Sequence, residues 1–347
     1  MNRIAGKTNI GLLVGALIAL AVVVAAVAVV RFDVFGRKSN RLGKEFQYNI
    51  EDLARVDPKL ILYKESDSVI ETGFKVSHAV AVDSKGSIYV AGDQAIRRFS
   101  DQGVILGEIK LGGEPGCLTV PADGTIYAGL KDHVEIYDAQ GQRQASWESL
   151  GANAHLTSIA VSDGNVFVAD AGNRVVVRYD TSGNVVTYIG KKDSSRNVPG
   201  FVIPSPYFDL AVSQDGLLRV VNPGRRRIEA YTADGDLEFW WGTTSAAIEG
   251  FCGCCNPVNI ALLPDGGYVT CEKGLARVKV YNSEGEFVGV VAAPRQLVRD
   301  GELRVCDLPE ECQSGGFDVA VDSAGRVLVL DTIKNTVRIF TKIEGRS

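Results

Sequence analysis

Six tight turns recur along this chain, and each one joins two runs of aliphatic and β-branched residues. Each turn pairs a glycine with a nearby Asp, Asn or Ser, a combination typical of connections between antiparallel strands. The turns follow one another at intervals of 38 to 59 residues, the length of one small antiparallel sheet per unit. The six turn glycines are Gly86, Gly124, Gly164, Gly216, Gly266 and Gly325.

Each unit also contains a third and a fourth strand-like run. In one unit the third run begins at Arg277, and in another the fourth run covers 185–189. Four strands in each of six units predict an all-β fold, a six-bladed β-propeller of four-stranded antiparallel blades over residues 56–341. Because the last unit has only three strand-like runs, the segments 60–63 and 68–71 are predicted to complete it.

Two motifs carry a resemblance to a known family. Residues 168–175 read VADAGNRV and residues 329–337 read VLDTIKNTV. With the aliphatic-Asp-x-x-Gly turns, they resemble the NHL-repeat propellers, which are related to the gluconolactonase-type propellers. The resemblance implies a propeller fold. Enzymes of the gluconolactonase type hold a divalent ion at the channel mouth with Glu, Asn and Asp, which makes the channel mouth of this chain a candidate site.

A hydrophobic segment precedes the repeat, since residues 10–30 contain no charged side chain. At about 1.5 Å of rise per residue, a helix of that length spans a bilayer core of roughly 30 Å, which predicts a single-pass transmembrane anchor. A cleaved signal peptide is the alternative, although its apolar core is usually about 7 to 15 residues long. The other segments are a tail at 1–9, a juxtamembrane linker at 31–55 and a C-terminal tail at 342–347.

Two signals disagree about the side of the membrane on which the repeat domain lies. Basic residues are denser after the hydrophobic segment than before it, which favours a repeat domain on the cytoplasmic side. Seven cysteines, six of them after residue 250, favour an oxidising compartment instead. We predict an extracytoplasmic domain, periplasmic or at the cell surface, and protease treatment of intact cells tests that orientation.

The charge is distributed unevenly along the chain. The first 44 residues carry a net charge of +6, so the total of −5 leaves −11 for residues 45–347. An acidic body without a basic stripe is a poor match for a polyanion. The sequence therefore predicts that nucleic acid is not a partner of this protein.

The long loops fall on one side of the predicted disc. The turns inside the blades are short, whereas three connections are long, at 191–206, 242–257 and 294–316. These long connections join neighbouring blades. In an antiparallel blade they lie on the same face of the disc as the turns between second and third strands. We call this side of the disc the insertion face. All seven cysteines and all three histidines are predicted to lie there, and long loops in compact domains usually serve binding or catalysis.

Six cysteines gather on two neighbouring blades of the insertion face. Three disulfides that brace the loops are one hypothesis. A zinc or iron–sulfur site is a second, although no Cys-x-x-Cys spacing supports it, and redox-active thiols are a third. The six residues are Cys252, Cys254, Cys255, Cys271, Cys306 and Cys312.

A column of residues comes just before the first strand of each unit, at the predicted mouth of the axial channel. Its carboxylate, amide and hydroxyl groups suit calcium or another divalent metal; polar groups that only line the channel or cap strands are the alternative. The column contains no glutamate, unlike the gluconolactonase pattern. The candidates, with two nearby histidines, are Asp209, Asn259, Asp318, Ser158, Cys117, His78 and His155.

Five further residues are candidates for contact with a partner, because they lie at the end of a fourth strand or in the connections of the insertion face. Aromatic and arginine side chains are the usual anchors of protein interfaces. These candidates are Trp241, Arg225, Arg226, Glu272 and Lys273.

Three functions are compatible with these patterns. The leading hypothesis is a non-catalytic, membrane-tethered propeller that presents its cysteine-rich insertion face to a protein partner at the membrane or to a small ligand. The second is a divalent-metal-dependent hydrolase or lyase at the channel mouth. The third is a redox or electron-transfer protein that uses the cysteine cluster. No catalytic triad order, phosphate loop or haem-attachment motif is present in the sequence.

Overall fold

The computed structural model describes residues 10–32, 49–298 and 316–346. The chain forms two units, Met1–Tyr48 and Asn49–Ser347. The first contains helix α1 (Ile10–Phe32). Within the described ranges no helix combines the length and apolarity required to cross a membrane, so the structure does not show the predicted transmembrane anchor.

The second unit is a six-bladed propeller of four-stranded antiparallel sheets, as predicted. Two short helices, α2 (Ile50–Leu53) and α3 (Pro294–Leu297), and 3-10 turns at Pro58–Leu60 and Pro223–Arg225 accompany the blades. The strands of blades one to three are β2 (Ser77–Val82), β3 (Ile88–Gly92), β4 (Ala95–Phe99), β5 (Ile105–Lys110), β6 (Cys117–Thr119), β7 (Ile126–Gly129), β8 (Val134–Tyr137), β9 (Arg143–Ser146), β10 (Leu156–Ser162), β11 (Asn165–Asp170), β12 (Val175–Asp180) and β13 (Val185–Ile189).

Blades four to six follow the same order, and the last one takes its outer strand from the start of the unit. Their strands are β14 (Leu210–Val212), β15 (Leu218–Asn222), β16 (Arg227–Tyr231), β17 (Leu237–Trp241), β18 (Asn259–Leu262), β19 (Tyr268–Glu272), β20 (Arg277–Tyr281), β21 (Phe287–Ala292), β22 (Phe317–Val321), β23 (Val327–Asp331), β24 (Thr336–Lys342) and β1 (Tyr63–Glu71).

The first strands of the six blades surround the axis. Each contacts the first strand of the next blade, and β22 contacts β2 to complete the ring. The second strands β3, β7, β19 and β23 are buried along their whole length. Side chains of neighbouring blades share hydrophobic clusters; for example, Val90 of blade one packs with Leu328 of blade six. The core therefore lies between the blades, and the first strands face the axis.

The six turn glycines explain why the repeat is visible in the sequence. All six adopt a positive φ, from 74° at Gly164 to 84° at Gly266. A side chain at such a φ is strained, whereas glycine is not. In five of the six turns the glycine amide also donates to a carbonyl three residues earlier, as Gly86 does to Asp83 at 3.0 Å.

The N-terminal strand closes the ring. Strand β1 pairs antiparallel with β24, with Ile70 opposite Val337, which confirms the closure predicted for 68–71. Arg338 of β24 donates to both carboxylate oxygens of Glu65, at 2.6 Å each. The segment before β1 behaves differently, because Leu62 donates its amide to the carbonyl of Val290 in blade five. The closing segment therefore joins two blades.

Candidate functional site

A cavity of about 840 Å³ opens at the insertion-face end of the axial channel. First-strand residues of all six blades line it, together with loop residues such as Glu114, Lys131 and Tyr207. The seven residues that the sequence predicts at the channel mouth all line this cavity: His78, Cys117, His155, Ser158, Asp209, Asn259 and Asp318. Its volume lies within the range of about 300 to 1,000 Å³ typical of small-molecule sites.

Asp209 joins blades four and five. Its Oδ2 accepts the amide hydrogen of Ile260 at 2.7 Å and its Oδ1 accepts that of Leu210 at 2.8 Å. The side chain is buried, with 8% exposed. Burial raises the pKa of Asp209 to about 6, because a carboxylate loses hydration that the two amides replace only in part.

Asp318 plays the equivalent part between blades six and one. Its Oδ2 accepts the amide hydrogen of Val80 at 2.7 Å. Burial and the negative charge of Asp209 raise the pKa of Asp318 to about 7. Within the described part of the chain, no cationic side chain contributes to the pKa of either carboxyl. The cavity therefore contains two acidic groups that no described cation neutralises.

The other polar members of the column also connect blades. Ser158 of blade three accepts from the amide of Leu210 and donates to its carbonyl, both at 3.3 Å. Asn259 donates its side-chain amide to the carbonyl of Phe317 at 2.7 Å. This arrangement matches the alternative that polar residues at these positions cap strands.

Two histidines lie at the cavity rim. His78 Nε2 is 2.9 Å from Glu114 Oε1, and the amide of His155 donates to Asp170 at 3.0 Å. Burial lowers the pKa of His155, which favours the neutral form of its imidazole. The rim thus combines a cationic residue, Lys131, with a carboxylate and two imidazoles.

The structure gives no support to a metal centre within the ranges that it describes. There, no three His, Cys, Asp or Glu side chains come together in an arrangement that could hold a metal ion. Asp209 instead accepts backbone amide hydrogens at both carboxylate oxygens, and Asp318 accepts one at Oδ2. Calcium, zinc and iron–sulfur binding remain predictions from the sequence.

The stability of the propeller is expected to fall as the pH rises from about 5 to 8. In the unfolded chain an aspartate loses its proton near pH 4, whereas the folded chain holds those of Asp209 and Asp318 up to about pH 6 and 7. The folded state binds more protons in this window, so its advantage is full below the unfolded pKa and is lost as the pH rises through the folded pKa.

Urea denaturation at a series of pH values measures this slope. The Asp318→Asn variant, which keeps an oxygen for the amide of Val80, is expected to flatten the profile by about 1 to 3 kcal/mol between pH 5 and 8. Asp101→Asn, at an exposed turn on the opposite face, serves as the control. An unchanged slope in Asp318→Asn would contradict the prediction.

The described cysteines are thiols, and none is joined in a disulfide. Three disulfides among the six clustered cysteines would require at least one bridge between two of Cys252, Cys254, Cys255 and Cys271, so the predicted bracing is not found. Cys271 lies within β19, outside the loop that carries Cys252, Cys254 and Cys255, and is fully buried. Cys306 and Cys312 lie outside the described residues.

Three of the predicted partner-contact residues are buried, which corrects their assignment to the surface. Trp241 is 8% exposed, Glu272 0% and Lys273 1%. Trp241 packs among aromatic rings, and Lys273 Nζ donates to Ser205 and lies 4.0 Å from the ring centre of Tyr207. All three side chains therefore lie inside the propeller.

The two arginines of the same set are more accessible. Arg225 is exposed and donates to the carbonyls of Gly200 and Pro199. Arg226 is partly buried, and its guanidinium bonds Thr244 and the carbonyl of Gly253. Both therefore bind the long loops of the insertion face, and Arg225 alone of this set is available at the surface.

Three further residues of the cavity were not predicted from the sequence. Glu114, Lys131 and Tyr207 line it from the connections between strands, and Tyr207 accepts the amide of Gly316 at 3.1 Å. Each lies within three residues of a first strand or just after a second strand. A comparison of the six connections at equal offsets from the strands could have found them.

Comparisons with known proteins identify the fold alone. No protein-family profile and no curated protein matches the sequence. A streptogramin B lyase structure superposes with a TM-score of 0.56 at 11% identity, covering 83% of this chain and 100% of that chain. Virginiamycin B lyase from Staphylococcus aureus gives 0.51 at 15%, covering 77% and 80%.

A protein of another kind matches equally well. The WD40 propeller domain of Doa1 gives a TM-score of 0.53 at 19% identity, covering 82% of this chain and 86% of that chain. Lyases and a WD40 domain thus share one architecture at low identity, and a fold of this kind does not determine a function. The chain is a six-bladed β-propeller, and its membership of the NHL-repeat family is not confirmed.

Proposed function

We propose that this propeller is a binding module that takes a small cationic ligand into the cavity at the mouth of its axial channel. One observation carries the proposal: the cavity holds two carboxyl groups, Asp209 and Asp318, that no described cation neutralises. An ammonium group bound there would supply the missing charge and donate to a carboxylate oxygen.

The walls of the cavity complement such a ligand. Apolar side chains of the first strands, such as Ile159 and Val319, alternate with the polar column, and Tyr207 contributes an aromatic ring. A cation attached to a small apolar or aromatic body would therefore bury both parts. The histidines and Glu114 at the rim provide further hydrogen-bonding groups for the end of the ligand nearest to solvent.

Benzylamine, compared with benzyl alcohol, is the probe that tests this function. The two have similar shapes and only the amine is cationic. Thermal unfolding and isothermal titration of the full chain are expected to show millimolar binding of benzylamine that tightens at least fivefold from pH 5.5 to 7.5, as the carboxyls ionise. Benzyl alcohol is expected to bind weakly at both pH values.

Matched variants decide whether the cavity is responsible. Asp318→Asn is expected to lose most of the preference for the amine, whereas Asp101→Asn is expected to behave as the wild type. Equal binding of the amine and the alcohol, or a preference for the amine that Asp318→Asn retains, would contradict the proposal.

A lyase or hydrolase is the second candidate function, and one observation favours it. A carboxyl with a pKa of about 7, such as Asp318, can act as a general acid or base near neutral pH. Two structural neighbours are named lyases. Mass spectrometry of ligands recovered after incubation separates the two functions, since a binding module returns its ligand unchanged.

The cellular location and the macromolecular partner stay predictions from the sequence. The uncharged segment at 10–30 is the basis for a tether that would hold the cavity near a membrane, and the charge of residues 45–347 is the basis for excluding nucleic acid. A protein partner at the membrane would meet the insertion face, where Arg225 is exposed. Fractionation of cells that express the full chain tests the tether.

A further inference from the structure

The long loop between β17 and β18 brings two consecutive thiols together. The sulfur atoms of Cys254 and Cys255 lie 3.3 Å apart, about 1.3 Å more than the roughly 2.05 Å of a disulfide bond. Cys255 is fully buried and Cys254 is partly exposed. Small rotations of two side chains would therefore bring the sulfurs to bonding distance, with one of them open to a reagent in solution.

The loop holds this pair in place from both sides. The side chain of Asn256 donates to the carbonyls of Cys252 and Lys273, at 2.8 and 3.1 Å, and accepts the amide of Lys273 at 3.0 Å. On the other side, Arg226 donates to the carbonyl of Gly253 at 3.3 Å. The backbone around the two thiols is thus bound to blades four and five, which fixes their proximity.

The other described thiols are in surroundings that keep them unreactive. Cys252 is buried beside the Glu272 carboxylate, and these effects raise the pKa of Cys252 to about 12. Burial, together with the charges of Asp209 and Asp318, also raises the pKa values of Cys117 and Cys271 well above the usual range of a thiol. Since the thiolate is the nucleophile, these three thiols react poorly at neutral pH.

We propose that Cys254 and Cys255 form a vicinal dithiol site that exchanges with small-molecule disulfides. The Cys254 thiolate attacks one sulfur of the disulfide, forms a mixed disulfide and releases one thiolate of the reagent. The Cys255 thiolate then attacks Cys254 Sγ, closes the ring and releases the second. The pair loses two electrons and two protons, and the reagent gains them as two thiols.

The spacing of the pair makes the exchange reversible. Neighbouring Cα atoms are about 3.8 Å apart in a trans chain, whereas the Cα atoms of ordinary disulfides are about 4.4 to 6.8 Å apart. A bond outside that range is easier to reduce. The pair thus differs from a structural brace.

Oxidised glutathione and intact mass spectrometry of the folded full chain test the site. After treatment, the mass of the wild type is expected to fall by two hydrogen atoms. Two fewer thiols are then expected to be alkylated, and reduced glutathione is expected to restore both thiols. Cys255→Ser is expected to accumulate a mixed disulfide with one glutathione at Cys254, because the second thiol is missing. Cys254→Ser is expected to show neither product.

Control variants make each outcome decisive. Cys117→Ser, which removes a thiol remote in sequence, and the double variant Cys306→Ser/Cys312→Ser are expected to close the ring as the wild type does. Ring closure that persists in Cys254→Ser, or that disappears in the double variant, would assign the chemistry to another pair and overturn the proposal. A wild type that stays fully alkylated in excess oxidised glutathione would overturn it as well.

Discussion

Replacing Glu272 by alanine is expected to lower the free energy of unfolding by about 3 to 5 kcal/mol. The Glu272 carboxylate lies inside blade five at 0% exposure and pairs with two cations, Arg277 at 2.6 Å and Lys279 at 2.5 Å. Without it, two buried positive charges face each other, and loss of the proton from Lys279 can relieve only part of the cost.

The same change is expected to loosen the loop between β17 and β18, which carries Cys252, Cys254 and Cys255. Lys279 Nζ donates to the carbonyls of Ile248 and Gly250 at 3.1 and 2.6 Å, and the Arg277 guanidinium donates to carbonyls of the same loop at 3.3 Å. Glu272 holds both cations in the orientation that these bonds need. Amide hydrogen exchange across residues 246–250 is therefore expected to accelerate in the variant.

An exposed ion pair supplies the control. Asp236 pairs with Arg196 at 2.6 Å, but both side chains are about half exposed, so Asp236→Asn is expected to cost no more than about 1 kcal/mol. Urea denaturation of the two variants measures the difference. If Glu272→Ala were as stable as Asp236→Asn, the buried pairs would not stabilise the blade as argued.

Replacing Trp241 by alanine is expected to cost a further large amount, about 3 to 5 kcal/mol. The Trp241 indole lies between blades four and five, with ring centroids 4.8 Å from Tyr281, 4.9 Å from Tyr268 and 6.0 Å from Phe251. It also covers Gly285, where an added Cβ would lie 2.3 Å from the indole. Removal of the indole would leave a cavity between the two blades that small shifts of the strands cannot fill.

The neighbouring tryptophan is a matched control. Trp240 is 52% exposed, and Arg227 lies over its ring at 4.5 Å, an arrangement that contributes roughly 0.5 to 1 kcal/mol at an exposed site. Thermal unfolding of Trp240→Ala and Trp241→Ala compares the two directly. A larger loss in Trp240→Ala would mean that the two rings exchange places relative to this structure.

Blades one to five could be predicted from local patterns because the four strands of each are consecutive in the sequence. Turn glycines at positive φ and runs of apolar residues report on backbone sterics and on burial, which act within a few residues. The closing strand β1 is far from β24 in the sequence, and its pairing at 68–71 was predicted because the last unit has only three strand-like runs of its own. The pairing of Leu62 with blade five was not predictable, because it depends on how two blades meet.

The channel mouth was partly predictable for a related reason. Six-fold repetition assigns one position of each unit to the axis, so Asp209, Asn259 and Asp318 could be assigned there without coordinates. Their hydrogen-bond partners could not, since each bonds the backbone of a neighbouring blade about 50 residues away or at the far end of the chain. The tryptophans show the same limit, because strand register decides which of two adjacent rings is buried.

The sequence by itself determined the number of blades, the strands in each and the face that holds the long loops, because these follow from local sterics repeated six times. Only the tertiary structure decided that the cysteines near residue 254 are thiols, that Glu272 and Lys273 lie inside and that the column of the channel mouth encloses a cavity. The physical reason is that burial, and with it the charge state of each acid and thiol, is set by contacts between blades far apart in the chain.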